Sequence, residues 1–406
     1  MNAQTFVIVG ASLAGAKAAE ELRERGFDGR VVLIGAEHEL PYERPPLSKE
    51  YLRGESERDA MRVHDEAFYR DQQIDLWLGV TATEIDTGAK RVRTDGRNSE
   101  LEYDALLLTT GSRPRHLELP GAELDGIHYL RTIADSDAIR ARLEQGGHLA
   151  VIGSGWIGSE IAASARQRGL DVTVIDVAPL PMGAVGPEVG QFYRDVHAGQ
   201  GVHFVLQDGA AAFEGDGSVS RVRTESGRIV ECDFVAVGAG ASPNVELGQR
   251  AGLDTDNGIL ADPRLQTSDP NVFVAGDIAN HWHPFYAHRV RVEHWANALN
   301  QGPAAARSML GDRKLYDELP YFFSDQYDVG MEYSGLPDPS DQVVFRGDRE
   351  GGEFIAFWLR DGVVTAGMNV NVWDVNEHVQ ALIRSRSRVD LGRLIDPHTP
   401  LDLLVS

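Results

Sequence analysis

The chain has 406 residues, 42% hydrophobic and 25% charged, which is an ordinary globular balance with material for about two or three domains. Its net charge of −23 argues against nucleic acid or an anionic membrane as partner, and no run approaches the ~18 apolar residues of a membrane span. The single cysteine, Cys232, excludes a disulfide relay inside the chain and suits a reducing, cytoplasmic setting.

The apolar run Phe6–Val9 predicts a strand, with no basic and cleavable apolar segment before it, so no signal peptide is expected. A glycine-rich turn follows, Gly10-Ala-Ser-Leu-Ala-Gly15. Helical spacing runs through Ala14, Ala18 and Leu22, Gly26 ends it, and Val31–Ile34 predicts the next strand. Such a βαβ unit is a dinucleotide fingerprint. Its glycines let backbone approach a pyrophosphate, whose charge the helix N-terminus stabilises. Gly10, Ser12, Leu13, Ala14 and Gly15 form the candidate cradle, with Ser12 a tolerated departure from the usual middle glycine. Glu37, 27 residues after Gly10, is placed to bind a ribose hydroxyl pair. The run Ala105–Leu108, continuing through Thr110 to Gly111, predicts a buried strand that closes beside this dinucleotide.

The second fingerprint is complete. Leu149–Ile152 leads into Gly153, Gly155 and Gly158, with Trp156 and Ile157 between the last two glycines and Glu160, Ile161 and Ala165 on the helix. The strand Val172–Ile175 ends at Asp176, 23 residues after Gly153. A carboxylate there accepts hydrogen bonds from a ribose 2′-OH and repels a 2′-phosphate. No Arg or Lys lies within Val177–Pro181, so NADH is favoured over NADPH; the alternative is that Asp176 only caps a turn. Two dinucleotides in one chain point to a flavin and a nicotinamide that exchange a hydride.

Phe234–Val237, ending at Gly238, and Val272–Val274, ending at Gly276 and Asp277, predict two further closing strands. From about residue 314 the pattern changes to aromatic alternating strands, at Tyr321, Val343, Phe354 and Val363, followed by helical spacing at Val375, Val379 and Leu382. The expected fold is α/β, with two Rossmann-like dinucleotide-binding domains, the second inserted in the first, plus a C-terminal α+β domain. The expected boundaries are 1–112 with 245–316, then 113–244, then 317–406.

Several segments resemble the flavoprotein ferredoxin reductases that serve bacterial monooxygenase and dioxygenase systems, within the pyridine-nucleotide reductase superfamily. They are Leu40-Pro-Tyr-Glu-Arg-Pro-Pro-Leu-Ser-Lys49, Gly153–Glu160, Thr267–Asp277, Val290–Trp295, Phe323–Tyr327 and Gly367–Trp373, in an order that spans nearly the whole chain. The resemblance implies FAD in the first domain, NADH in the second and a 2Fe-2S ferredoxin as electron acceptor. The family more often has glutamate where this chain has Asp176; either carboxylate disfavours a 2′-phosphate.

The same resemblance implies roles for individual residues. Asp277 matches the carboxylate that binds the flavin's ribityl chain, and Arg44, Pro45, Lys49, Ala82 and Arg131 match positions lining the FAD. Lys49 matches the lysine that approaches the flavin ring and pairs with the glutamate matched by Glu160. An ammonium fixed there would offset charge developing on the flavin after hydride transfer to N5. Trp295 reads either as an aromatic wall beside the flavin or as a core tryptophan. Arg289 and Arg291, and the cluster Arg384, Arg386, Arg388 and Arg393, are candidates for docking an acidic ferredoxin, or are solvated faces.

His281, His283, His288 and His294 fit no common metal spacing, and no Gly-x-Ser-x-Gly elbow starts a hydrolase triad. Cys232 reads as structural, and the Arg44–Lys49 region holds no redox cysteine of the kind related disulfide reductases carry. Two other readings remain open at this point. One is an NADH-dependent flavoprotein reductase of a small acceptor such as a quinone or ascorbyl radical, and the other is an NADH-sensing, non-enzymatic flavoprotein.

Overall fold

Both fingerprints head parallel sheets in the computed structural model, which describes residues 4–96 and 100–404. The chain divides into two compact units, one formed by residues 1–44, 58–113 and 241–320, the other by 45–57, 114–240 and 321–406. The first unit is thus interrupted by the second, the nesting expected from the order of the strands.

In the first unit the strands Val272–Val274, Ala105–Leu108, Thr5–Val9, Arg30–Gly35 and Ile74–Leu78 lie side by side in that order, all parallel. The central strands are continuous apolar runs because both faces are covered. One face packs on the fingerprint helix Leu13–Glu24 and the long helix Trp295–Met309, through Ile8, Leu22, Leu33, Leu107 and Ala305. The two helices approach closely. A side chain at Gly302 would come within 2.3 Å of the Ala14 carbonyl, so only glycine fits. Gly26, at φ 76°, ends the first helix in the left-handed conformation that its position predicts.

The second unit repeats the theme with the order Val202–Leu206, Asp171–Asp176, His148–Ile152, Phe234–Val237 and Ile127–Tyr129, again all parallel. It also contains the C-terminal sheet, five antiparallel strands in the order Tyr321–Gln326, Val329–Gly335, Val363–Val370, Glu353–Arg360 and Gln342–Asp348. Helix Asn376–Ser385 lies on that sheet, burying Val379, Leu382 and Ile383. Met182, Val189 and Tyr193 join the sheet's Met331, Phe354 and Trp358 in one core. Among the described residues, no helix is long and apolar enough to cross a membrane.

Candidate functional sites in the two units

The first cradle is shaped by backbone crowding. Gly10 has φ 123°, and a Cβ there would lie 2.2 Å from the Thr109 carbonyl; one at Gly15 would lie 2.0 Å from the Gly10 carbonyl. The middle position has no such demand. Ser12 is the helix N-cap with φ −112°, a conformation open to any residue, which is why serine replaces glycine without strain. Leu13 and Ala14 are buried in the first turn of the helix.

Glu37 follows the second strand of this sheet and is held from two sides. Its carboxylate accepts from the Tyr42 hydroxyl at 2.6 Å and from Arg44 Nη2 at 2.8 Å. Burial works against the Arg44 charge, but Tyr42 and Glu37 outweigh it and hold the guanidinium above its ordinary range. At the far closing strand, Gly276 adopts φ 79° and the buried Asp277 accepts from Ser112 Oγ at 2.7 Å. The Gly276 N–H donates to Gln301 at 2.9 Å. Thr110 and Asn244 exchange bonds, hydroxyl to carbonyl at 3.0 Å and amide to carbonyl at 2.8 Å, beside Gly111 at φ 65°. Ala82 opens a small antiparallel strand, Ala82–Asp86. Trp295 starts its helix half-buried, with its indole beside Glu43, whose carboxyl burial pushes up. These residues fit a pyrophosphate and ribose against glycine backbone, with a carboxylate at each end.

In the second unit Gly153 has φ 95°, with a Cβ path blocked at 2.5 Å by the Gly238 carbonyl; a Cβ at Gly158 would meet the Gly153 carbonyl at 2.1 Å. Gly155, the helix N-cap, has open space around it. Ile157 is exposed, while Trp156 turns its ring onto Phe322 at 4.7 Å. Asp176 is oriented by its own turn. One oxygen accepts from the Ser154 N–H at 2.5 Å and Ser154 Oγ at 2.6 Å, the other from the Ala178 N–H at 2.8 Å. These bonds cap the turn after the strand Asp171–Asp176 and fix the orientation of the carboxylate.

Lys49 and Glu160 meet in this second unit. Their side chains are 6% and 8% exposed, with Nζ 3.6 Å from the carboxylate. That distance is an ion pair without a hydrogen bond. The carboxylate's direct donors are hydroxyls, Ser48 on one oxygen and Ser324 at 2.7 Å on the other. Lys49 Nζ also stands 5.1 Å above the Phe323 ring. Pro45 opens the short helical turn Pro45–Ser48 that presents Ser48, and Arg131 precedes the capping box of Thr132 and Asp135, to which its own N–H donates at 3.0 Å. Pro45, Lys49 and Arg131 thus belong to the second unit, and Arg44 and Ala82 to the first.

Sequence reasoning missed Tyr42, Ser48, Ser112, Ser154 and Ser324. Small hydroxyls carry no pattern of their own, although Tyr42, Ser48 and Ser324 fall inside segments that carry the resemblance. Of the docking candidates, Arg289 donates to the Ala261 and Asn280 carbonyls and Arg291 to the Asp277 carbonyl and Glu293, while Arg393 donates to the Leu403 carbonyl. His281 and His283 are buried with rings 5.4 Å apart, and no group of three metal-ligating side chains occurs among the described residues.

Two nested parallel sheets, each with a glycine cradle and a carboxylate, define a pyridine-nucleotide oxidoreductase. The chain belongs to the pyridine nucleotide-disulphide oxidoreductase family, whose model matches residues 4–302; a reductase C-terminal model matches residues 321–405. It is 42% identical over 405 residues to the ferredoxin–NAD(+) reductase component of an anthranilate 1,2-dioxygenase system from Burkholderia cepacia, covering 98% of both chains. The ferredoxin reductase of the CYP199A2 system from Rhodopseudomonas palustris superposes with a TM-score of 0.96 at 35% identity, over 99% of this chain and 100% of that one. The putidaredoxin reductase–putidaredoxin covalent complex gives a TM-score of 0.94 at 34% identity, over 100% of this chain and 99% of that one.

Proposed function

We propose that this chain is an FAD-dependent ferredoxin–NAD(+) reductase, carrying electrons from NADH to a 2Fe-2S ferredoxin that supplies an oxygenase. The observation that carries the reading is two dinucleotide cradles in a chain with one cysteine, whose thiol burial pushes up to about 12. Without a reactive thiol the electrons must leave to an outside acceptor. Relatives named as ferredoxin reductases, similar over nearly their full length, support a ferredoxin in that role.

FAD, when bound, takes two electrons as a hydride and releases them singly. The protein's part is to bind and orient. Gly10–Gly15, Glu37, Arg44, Gly276 and Asp277 hold the flavin nucleotide, with 1–112 and 245–316 as its domain. Gly153, Gly155, Gly158, Gly238 and Asp176 hold NADH, with 113–244 as its domain and 317–406 as the C-terminal α+β domain. Asp176 excludes the 2′-phosphate of NADPH by charge. Lys49 supplies the positive charge that the resemblance sets against the flavin ring, and Glu160 keeps it oriented. Ala82, Thr110, Gly111, Arg131, Trp156, Ile157 and Trp295 complete the two binding surfaces. The setting is the cytoplasm.

Anaerobic stopped-flow mixing of the FAD-loaded protein with NADH tests the reading. Rapid loss of flavin absorbance, then its return on adding an oxidised 2Fe-2S ferredoxin, is expected. Flavin that stays reduced in the ferredoxin's presence contradicts it.

A further inference from the structure

Glu160 is the end of a longer chain of donors. Ser324 Oγ, which donates to it at 2.7 Å, accepts from Gln326 Nε2 at 3.0 Å. Gln326 Oε1 lies 2.7 Å from His197 Nε2, and the Tyr327 hydroxyl lies 3.2 Å from His197 Nδ1. Ser324, Gln326 and His197 are each 1% exposed, and Glu160 is 6% exposed. The residues come from three separate pieces of the second unit. Glu160 is on the nucleotide helix Trp156–Gln167, His197 in the last turn of helix Pro187–Gly199, and Ser324 and Gln326 sit two apart on strand Tyr321–Gln326, hence on one face.

The direction of the chain follows from valence. An ionised carboxylate only accepts, so Ser324 spends its one proton on Glu160 and its oxygen must accept from the Gln326 amide. The amide oxygen only accepts, so His197 must carry its hydrogen on Nε2. Nδ1 is left as the acceptor for the Tyr327 hydroxyl. Burial pushes the His197 imidazole below its ordinary range, in keeping with a neutral ring. Every donor therefore points toward Glu160, an arrangement in which successive bonds polarise one another in a dry interior.

We propose that His197, acting through Gln326 and Ser324, is a positioning residue that fixes the Glu160 carboxylate against Lys49. Ser48 holds the other oxygen of Glu160, so loss of the chain frees the carboxylate to rotate about that single tether. The inference rests on the reading that Lys49 and Glu160 act in flavin reduction.

The test has two arms on the FAD-loaded protein. In 15N-histidine NMR, His197, assigned by its loss in His197→Phe, should show the Nε2–H tautomer, and Gln326→Leu should abolish that preference. An Nδ1–H tautomer in the unaltered protein overturns the proposal whatever the enzymology shows. In stopped flow, His197→Phe and Ser324→Ala should slow flavin reduction by NADH about tenfold, the scale of one lost buried hydrogen bond, with the NADH dissociation constant within about twofold. His197→Gln, which keeps a donor toward Gln326, should restore most of the rate; equal rates for His197→Phe and the unaltered protein overturn the proposal. Lys49→Met separates the two readings. If that variant reduces at the normal rate, the role of the pair in flavin reduction fails, while the tautomer result still decides the direction of the chain.

Discussion

Removing Glu160 alone should cost at least as much as removing both members of the Lys49–Glu160 pair. The charges lie 3.6 Å apart with side chains 6% and 8% exposed, a Coulomb attraction of roughly 4 to 5 kcal/mol at an effective dielectric near 20. Glu160→Ala leaves the buried Lys49 ammonium with the Phe323 ring face and the Asp325 carboxylate, which it does not pair with directly. A buried charge stripped of its partner costs about 3–5 kcal/mol. Lys49→Met leaves Glu160 its two serine donors, so its cost should be smaller, about 2–3 kcal/mol. The double variant removes both charges and should cost no more than Glu160→Ala alone, giving a coupling of about 2–3 kcal/mol. Urea unfolding of the four proteins, with FAD at fixed excess, measures the cycle. Strictly additive costs would refute the reasoning, because additivity means that neither charge is desolvated enough to feel the other.

Three further outcomes are expected. Asp176→Asn should raise the NADPH-to-NADH ratio of kcat/KM about tenfold, because the 2′-phosphate no longer meets a fixed negative charge; an unchanged ratio contradicts the assignment. Burial, with His283 and Arg289 adding to it, lowers His281 to about 3, while in the unfolded chain histidine titrates near ~6.5. Stability from this group is therefore full above pH ~6.5 and falls by about 1.4 kcal/mol per pH unit as the pH drops toward about 3. Between pH 6.5 and 5 the unaltered protein should lose roughly 2 kcal/mol more than His281→Phe, and parallel urea curves would contradict this. Arg346 donates to the carbonyls of Leu394, Pro397 and Thr399 at 3.1, 3.2 and 2.5 Å, so Arg346→Met should open the 394–399 segment to limited proteolysis. An unchanged cleavage pattern would show that the segment is held by other contacts.

What the sequence made legible was what repeats locally. The strands Thr5–Val9, Arg30–Gly35, His148–Ile152 and Asp171–Asp176 are within one residue of the apolar runs that predict them, because a strand covered on both faces must be continuously apolar. The cradle glycines were legible for a comparable reason. Gly10 and Gly153 need positive φ, and Gly15 and Gly158 sit against a carbonyl, whereas the middle position needs neither, so Ser12 and Gly155 serve equally. The partners of Glu160 were not legible. Ser48 and Ser324 lie 112 and 164 residues away in sequence, and a serine has no periodicity to betray its partner. Nor does a pattern of apolar residues reveal that 45–57, which follows a first-unit segment directly, belongs with 114–240. His197 lies in none of the motifs or resembling segments; only tertiary packing places it 2.7 Å from Gln326.

Electrons from NADH are expected to leave this chain through a ferredoxin. Cytochrome c reduction by the FAD-loaded protein, with NADH or NADPH and with or without a panel of bacterial 2Fe-2S ferredoxins, tests it most directly. Turnover should appear only when a ferredoxin is present and fall away with NADPH. Equal cytochrome c reduction without any ferredoxin, or saturable turnover with a small quinone and no response to the panel, would contradict it.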